Sequence, residues 1–264
     1  MKKILTLLAL IALSINLMAT EEERKLNQFS SIENSCSIDM IIKQGDVQKV
    51  IVVSPDKYLS KIKTEVQGGI LRVDVKGSLS YRNEDLHIEV TVKNLEEIVN
   101  NGSADIEIFG IFNTDHILLS MHGSGDLEGD FKVQDMKIRM HGSGDVEISG
   151  VNGSLDVRQM GSGDFEGESL HLASADFSMS GSGDAEVSGT AAMMEISQSG
   201  SGDFDGRSFV VKTAKIRKTS SGEADVHITD TLEARLSGSG DLNVKGNPNM
   251  TMISVNGSGE IHSL

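Results

Sequence analysis

His141-Gly142-Ser143-Gly144-Asp145 is one copy of a phrase that returns along most of the chain. Its closing acidic residue falls at Asp105, Asp126, Asp145, Asp164, Asp184, Asp203, Glu223, Asp241 and Glu260, with gaps of 21, 19, 19, 20, 19, 20, 18 and 19 residues. A fixed period of this size marks a solenoid, in which each repeat buries its apolar face only against its neighbours. Working outward from the phrase, Ile138 and Met140 precede it and Val146 and Ile148 follow it, while Arg139, His141 and Glu147 occupy the other face. That period of two belongs to half-buried strands. Each repeat therefore predicts strand, tight turn, strand, looser turn. About 20 residues hold two strands of 5 or 6 residues and their turns, one coil of a narrow β-helix. Eight intervals stacked at ~4.8 Å predict a rod of roughly 40 Å.

The two inward positions after each acid read Leu127/Gly129, Val146/Ile148, Phe165/Gly167, Ala185/Val187, Phe204/Gly206, Ala224/Val226 and Leu242/Val244. A large residue paired with glycine alternates with a smaller one paired with a β-branched residue, which keeps the volume of each layer constant, as close packing demands. The alternation leaves open a doublet unit of 39 residues, 19 plus 20, forming a wider coil with a glycine turn at each of two corners. Glycine adopts positive φ without steric cost. On that ground Gly123 and Gly125, Gly142 and Gly144, Gly161 and Gly163, Gly181 and Gly183, Gly200 and Gly202, Gly238 and Gly240, and Gly257 and Gly259 read as structural corner residues. The serine and the acid are expected to accept hydrogen bonds from the amides of their own turn.

Stacked once per coil, the acids form columns. Asp126, Asp145, Asp164, Asp184 and Asp203 make one; Glu107, Glu128, Glu147, Glu166, Glu186, Asp205 and Asp225 make a second. Like charges ~5 Å apart at a surface repel by on the order of 1 kcal/mol per pair. Ca²⁺ is the candidate ion to offset this at the first column. The nine-residue Gly-Gly-x-Gly-x-Asp period of calcium β-rolls is absent, and amide hydrogen bonds with salt screening are the competing account. His122 and His141 share one repeat position, held later by Met160, Ser180 and Ser199; two adjacent imidazoles supply too few ligands for a metal site. Gly123-x-Gly125 resembles a fragment of a dinucleotide fingerprint, but no helix follows. The acids recur in every coil instead of converging, so no catalytic or cofactor-binding residue is assigned.

Before the repeats, Ile38 to Lys43, Val50 to Val53, Ile70 to Val75 and Leu86 to Val92 read as strands, with turns at Gly45-Asp46 and Gly68-Gly69. Ser54-Pro55-Asp56 predicts one helical turn through Leu59, capped by the serine. Cys36, the one cysteine, reads as a small strand residue. Lys2 and Lys3, the apolar run from Ile4 and Leu17-Met18-Ala19 form an export signal. Its removal leaves 22 basic and 39 acidic residues, a net charge of −17. An acidic chain with no tryptophan and two tyrosines disfavours nucleic acid and anionic membranes as partners. The expected organisation is a signal over 1–19, irregular β-rich coils over 20–100 and the repeat solenoid over 101–264, the last two continuous as one domain.

An exported chain with an irregular β-rich third and Gly-Ser-Gly-Asp every 19 or 20 residues resembles the auto-transporter adhesin "head GIN domain" family of Bacteroidetes-type bacteria. The resemblance covers Phe29 onward. It implies an all-β, right-handed β-helix with the glycine phrases at tight turns between sheets. It also implies a cell-adhesion role by analogy with trimeric surface adhesins, a trimeric homo-oligomer and no catalytic residues. The sequence stops four residues after Glu260, which leads to the expectation of tethering by another component, or of a periplasmic or released protein. Ile253, Val255 and Ile261 point to association through the last coil. A non-enzymatic surface-binding module is the leading expectation. A calcium-stabilised structural module and a polysaccharide-active β-helix enzyme are the alternatives.

Overall fold

The computed structural model describes residues 19–79 and 85–264. The expected export signal, apart from Ala19, lies outside the described residues. The N-terminal strands are β1 (Thr20–Glu23), β2 (Ser31–Asn34), β3 (Asp39–Gln44), β4 (Lys49–Ser54), β5 (Ile62–Gln67), β6 (Ile70–Val75), β7 (His87–Val92) and β8 (Glu97–Asn100), with α1 (Asp56–Leu59) between β4 and β5. Seven long, bent strands carry the repeats: β9 (Ile106–Met121), β10 (Leu127–Met140), β11 (Val146–Gln159), β12 (Phe165–Met179), β13 (Ala185–Gln198), β14 (Phe204–Lys218) and β15 (Ala224–Leu236). β16 (Leu242–Lys245), β17 (Asn249–Val255) and β18 (Ile261–Ser263) follow.

Successive long strands pair in parallel, Leu127 beside Val146 and Met140 beside Gln159. Neighbouring coils are thus 19 residues apart here, and each coil has one glycine phrase. The two-cornered doublet is therefore not the unit of this β-solenoid. The large-small alternation serves packing between coils, since Phe165, Ala185, Phe204 and Ala224 stack in succession. A Cβ on Gly206 would lie 2.8 Å from the Phe204 ring, and one on Gly167 3.1 Å from the Phe165 ring. The glycine makes room for the phenylalanine of its own coil. Phe177 joins the two, its ring 6.2 Å from Phe165 and 5.2 Å from Phe204.

Within β10 the buried positions are Leu127, Gly129, Phe131, Val133, Met136, Ile138 and Met140. Their alternation slips once, at Gln134–Asp135, where the strand bends to the next side. The 21-residue gap has a local cause. Ile108 pairs with Gly129 but Ile111 pairs with Asp130, so Phe109 and Gly110 bulge from the coil, helped by a φ of 75° at Gly110.

The N-terminal third is woven out of sequence order. β3 lies between β7 and β9, and β2 between β6 and β8, all in parallel. The first coil in the sequence is therefore the second in the stack. β4 and β5 then run antiparallel to β7 and β6, and β1 antiparallel to β4, covering that end of the solenoid. Covered edges do not recruit foreign strands. At the other end Met250, Ile253 and Val255 align with buried Leu232, Ala234 and Leu236 yet are exposed, whereas Ile261 packs partly on the core. The helical turn is present, but Pro55 occupies its N-cap and the Ser54 hydroxyl donates to the Pro55 carbonyl at 3.0 Å. Serine does not cap it, because its side chain is already engaged one residue too early.

Candidate functional site

The repeated corner is built by contact between coils. The Ser162 amide donates to the Gly142 carbonyl at 3.0 Å, and the Ser182 amide to the Gly161 carbonyl at 3.0 Å. This draws each corner onto the one before. A Cβ on Gly161 would lie 1.7 Å from the Gly142 oxygen, and one on Gly163 2.0 Å from the Gly144 oxygen. Gly123, Gly125, Gly142, Gly144, Gly181, Gly183, Gly200, Gly202, Gly238, Gly240, Gly257 and Gly259 face the same obstruction from the coil before. None of these glycines has a positive φ. The conformational reason expected for them is thus replaced by a steric one: there is no space for a side chain between stacked corners.

Cys36 belongs to this column. A Cβ on Gly102 would strike the Cys36 carbonyl, so Ser35-Cys36-Ser37-Ile38-Asp39 forms the corner beneath Asn101-Gly102-Ser103-Ala104-Asp105. The cysteine sits in a turn, not a strand, because it stands where later coils have glycine. Burial pushes its thiol up to about 11.

The aspartates tie coil to coil. Asp39 accepts a hydrogen bond from the Asp105 amide, Asp105 from Asp126, Asp126 from Asp145, Asp145 from Asp164, Asp164 from Asp184, and Asp184 from Asp203, at 2.7–3.0 Å. The ladder continues from Asp203 to the Glu223 amide and from Asp241 to the Glu260 amide. The expected acceptance from amides of the same turn is corrected: the carboxylate reaches the next coil, where the strand pairing breaks at the corner. Asp126, Asp145, Asp164, Asp184 and Asp203, the calcium candidates, therefore each commit one oxygen to an amide. Among the described residues no three His, Cys, Asp or Glu side chains are grouped to hold a metal ion. The rings of His122 and His141 stack at 5.0 Å, and burial, then the His141 charge, lower the His122 pKa.

Two residues on, Glu107, Glu128, Glu147, Glu166 and Glu186 stand in register, with no ion pair among the described residues. Partial burial, then the charges of Glu147, Glu186 and Glu168, raise the Glu166 pKa. Ile111, Asp130, Ser149 and Glu168 form a parallel outward column. Farther along, Arg207 bridges Asp205 and Asp225. The result is an acidic sheet face running along the solenoid.

Sequence reasoning missed a polar column inside the corner. Asn34, Asn100, Met121, Met140, Gln159, Met179, Gln198, Lys218 and Leu236 stack in register, and the polar members are buried. Gln159 Nε2 donates to the Gly163 and Asp184 carbonyls at 2.7 and 3.0 Å; Gln198 does the same to Gly202 and Glu223 at 2.6 and 3.2 Å. Lys218 Nζ donates to Ser220 Oγ at 2.7 Å and to the Gly222 carbonyl. These side chains satisfy corner carbonyls from within; the available signal was their repeat position, two residues before Gly161 for Gln159, before Gly200 for Gln198 and before Ser220, which replaces that glycine, for Lys218.

A sequence family described as "Putative auto-transporter adhesin, head GIN domain" matches residues 28–188 and 170–248, most of the chain. The chain belongs to this family. Crystal structures share the head GIN domain's architecture. A "putative adhesin" from Parabacteroides distasonis is 19% identical, with 93% of this chain and 97% of that one covered and a TM-score of 0.68. Another from Parabacteroides merdae is 20% identical, with coverages of 94% and 97% and a TM-score of 0.65. A "putative lipid binding protein" from P. distasonis is 23% identical, with coverages of 94% and 98% and a TM-score of 0.65. At these identities the likeness establishes the fold. Among curated proteins nothing matches the chain. No helix of the described residues is long and apolar enough to cross a membrane.

Proposed function

We propose that this head GIN domain is an exported, non-enzymatic binding module that contributes to cell-surface adhesion through its acidic face. Family membership supports the adhesive role. The observation that carries the reading is the distribution of chemistry: ionisable groups repeat coil after coil along one face, where an enzyme would gather unlike groups at one place. An extended charged surface suits multivalent, salt-sensitive recognition.

The test is binding of labelled mature protein to intact bacterial cells and to immobilised matrix proteins, at low and high salt. Saturable binding that weakens with salt supports the reading, and its absence from both overturns it. Turnover of an acidic polysaccharide by the purified chain would favour the enzyme instead. Neutral phosphatidylcholine vesicles belong in the same assay, because one structural relative is named for lipid binding and a groove of about 500 Å³ runs over Leu155 and Ala175 beside exposed Met193. A melt with calcium and with chelator, followed by light scattering, reads metal dependence and oligomeric state.

A further inference from the structure

We propose that the acidic face beside the Phe109–Gly110 bulge docks a basic, extended segment of a partner protein, with an apolar side chain of that segment seated against Phe109 and Ile111. This rests on the reading of the protein as a binding module and assigns it a site and a class of partner.

The bulge is the departure that needs explaining. Phe112, Phe131, Phe165, Phe177, Phe204 and Phe209 are all buried, yet Phe109 and Ile111 are each 64% exposed. Phe109 faces outward by the ordinary alternation, two residues after Glu107 and in register with Lys43 of the adjoining coil, and the two-residue insertion lets Ile111 head the column of Asp130, Ser149 and Glu168. Core packing therefore gives no account of two large apolar side chains in water. They stand at one end of the two acidic columns, next to a concavity of about 210 Å³ lined by Glu107, Gly110, Glu128, Asp130, Glu147 and Glu168.

Charge selects the partner. The glutamates from Glu107 to Glu166 have no ion pair among the described residues, whereas Asp205 and Asp225 share Arg207, whose charge also reaches Glu186, and Lys43, beside Phe109, is paired with Glu89. Carboxylates one strand spacing apart, about 4.8 Å, repel until a ligand neutralises them. A bare metal ion would leave Phe109 and Ile111 unused. A peptide with lysines or arginines beside a leucine or similar residue uses both features, with a guanidinium able to lie on the Phe109 ring. The long stems of lysine and arginine bridge the difference between peptide and coil spacing.

The experiment is fluorescence anisotropy of mature protein with two labelled probes, hexalysine and hexalysine carrying two N-terminal leucines. The leucine-bearing probe should bind at least tenfold more tightly. Phe109→Ser with Ile111→Ser should abolish that difference and leave hexalysine binding unchanged. Glu128→Gln with Glu147→Gln should weaken both probes at least fivefold. These positions point outward, and a thermal melt checks that each variant is folded. Equal affinity for the probes, or an apolar-to-serine variant that still prefers the leucine peptide, would overturn the proposal. So would displacement of both probes by millimolar calcium chloride. If the peptide site fails while wild-type protein still binds cells, the binding-module reading survives and this site falls; loss of both removes the reading itself.

Discussion

At the residue scale, the corner glycines separate two reasons for having no side chain. Gly161 meets the Gly142 carbonyl oxygen where its Cβ would be, while Gly68, at φ +59°, has nothing within 4 Å of its Cβ position. Gly161→Ala should therefore cost about 3 kcal/mol or more, and Gly68→Ala only the ~1 kcal/mol of left-handed backbone; chemical denaturation of both variants checks this. Lys218 poses the opposite problem, a buried ammonium in a column where other coils use methionine. Its burial outweighs the attraction of Asp203, Asp241 and Glu223 and lowers its pKa from 10.5. The folded chain thus releases this proton before the unfolded chain does, so stability from this group rises with pH through the window below 10.5. Its cost is fully present where both states hold the proton. Lys218→Met should stabilise the protein at pH 7 by roughly 1–3 kcal/mol, and the gain should shrink as pH approaches 10.5 in parallel melts. The glycine positions were legible because spacing alone marks them. Their reason was not, because a clash with the preceding coil is a property of the stack. Gln159, Gln198 and Lys218 were hidden by residue type, although their repeat position is that of Met121, Met140 and Met179.

At the scale of the element, a coil is held to its neighbour by strand pairing on its sides and by aspartate at its corner. Asp145 accepts the Asp164 amide at 2.7 Å while its own amide donates to Asp126 at 2.8 Å. Asp145→Ala removes one acceptor and should cost about 1 kcal/mol. Asp145→Asn keeps an oxygen in place and lowers repulsion along the column, so its midpoint in urea should stay close to wild type. A calcium site at these residues predicts another ranking, with both variants losing a chelator-sensitive stabilisation. The nine acidic positions were readable in sequence, but a tenth corner was not. Asn34-Ser35-Cys36-Ser37-Ile38-Asp39 has cysteine, isoleucine and no glycine, and only its place under Gly102 reveals it. Ser220 shows what a side chain does within the run. Beside it the Ser221 amide to Gly200 carbonyl distance is 3.4 Å, against 2.9 Å for Ser201 to Gly181.

For the whole molecule, stability is the sum of coils and the contacts between them, so the two ends govern how it opens. One end is closed by β1, β4 and β5 in antiparallel pairing. That weave was invisible in the sequence, since period-two patterns over Ile38 to Val92 state which residues face inward but not which strands pair. At the other end β17 carries Met250, Met252, Ile253 and Val255 at 39–50% exposure, and β15 is covered on that side only by β16 and β17. Each coil sheds its neighbour's support when it leaves, so opening should begin at β17 and β18 and move inward, with the out-of-order coils around β3 last to open. Native-state hydrogen exchange of the mature protein tests this. Amides of β3, β7 and β9 should exchange only with global unfolding, those of β17 and β18 fastest, and those of β10 to β15 in a graded series between them. Gly161→Ala sharpens the test: a defect in the middle of the stack should raise exchange in β12 to β15 while leaving β3 and β7 at the slow extreme. Uniform exchange across all coils would instead mean that the solenoid opens as one cooperative unit, its interfaces so strong relative to each coil that the covered and uncovered ends no longer differ.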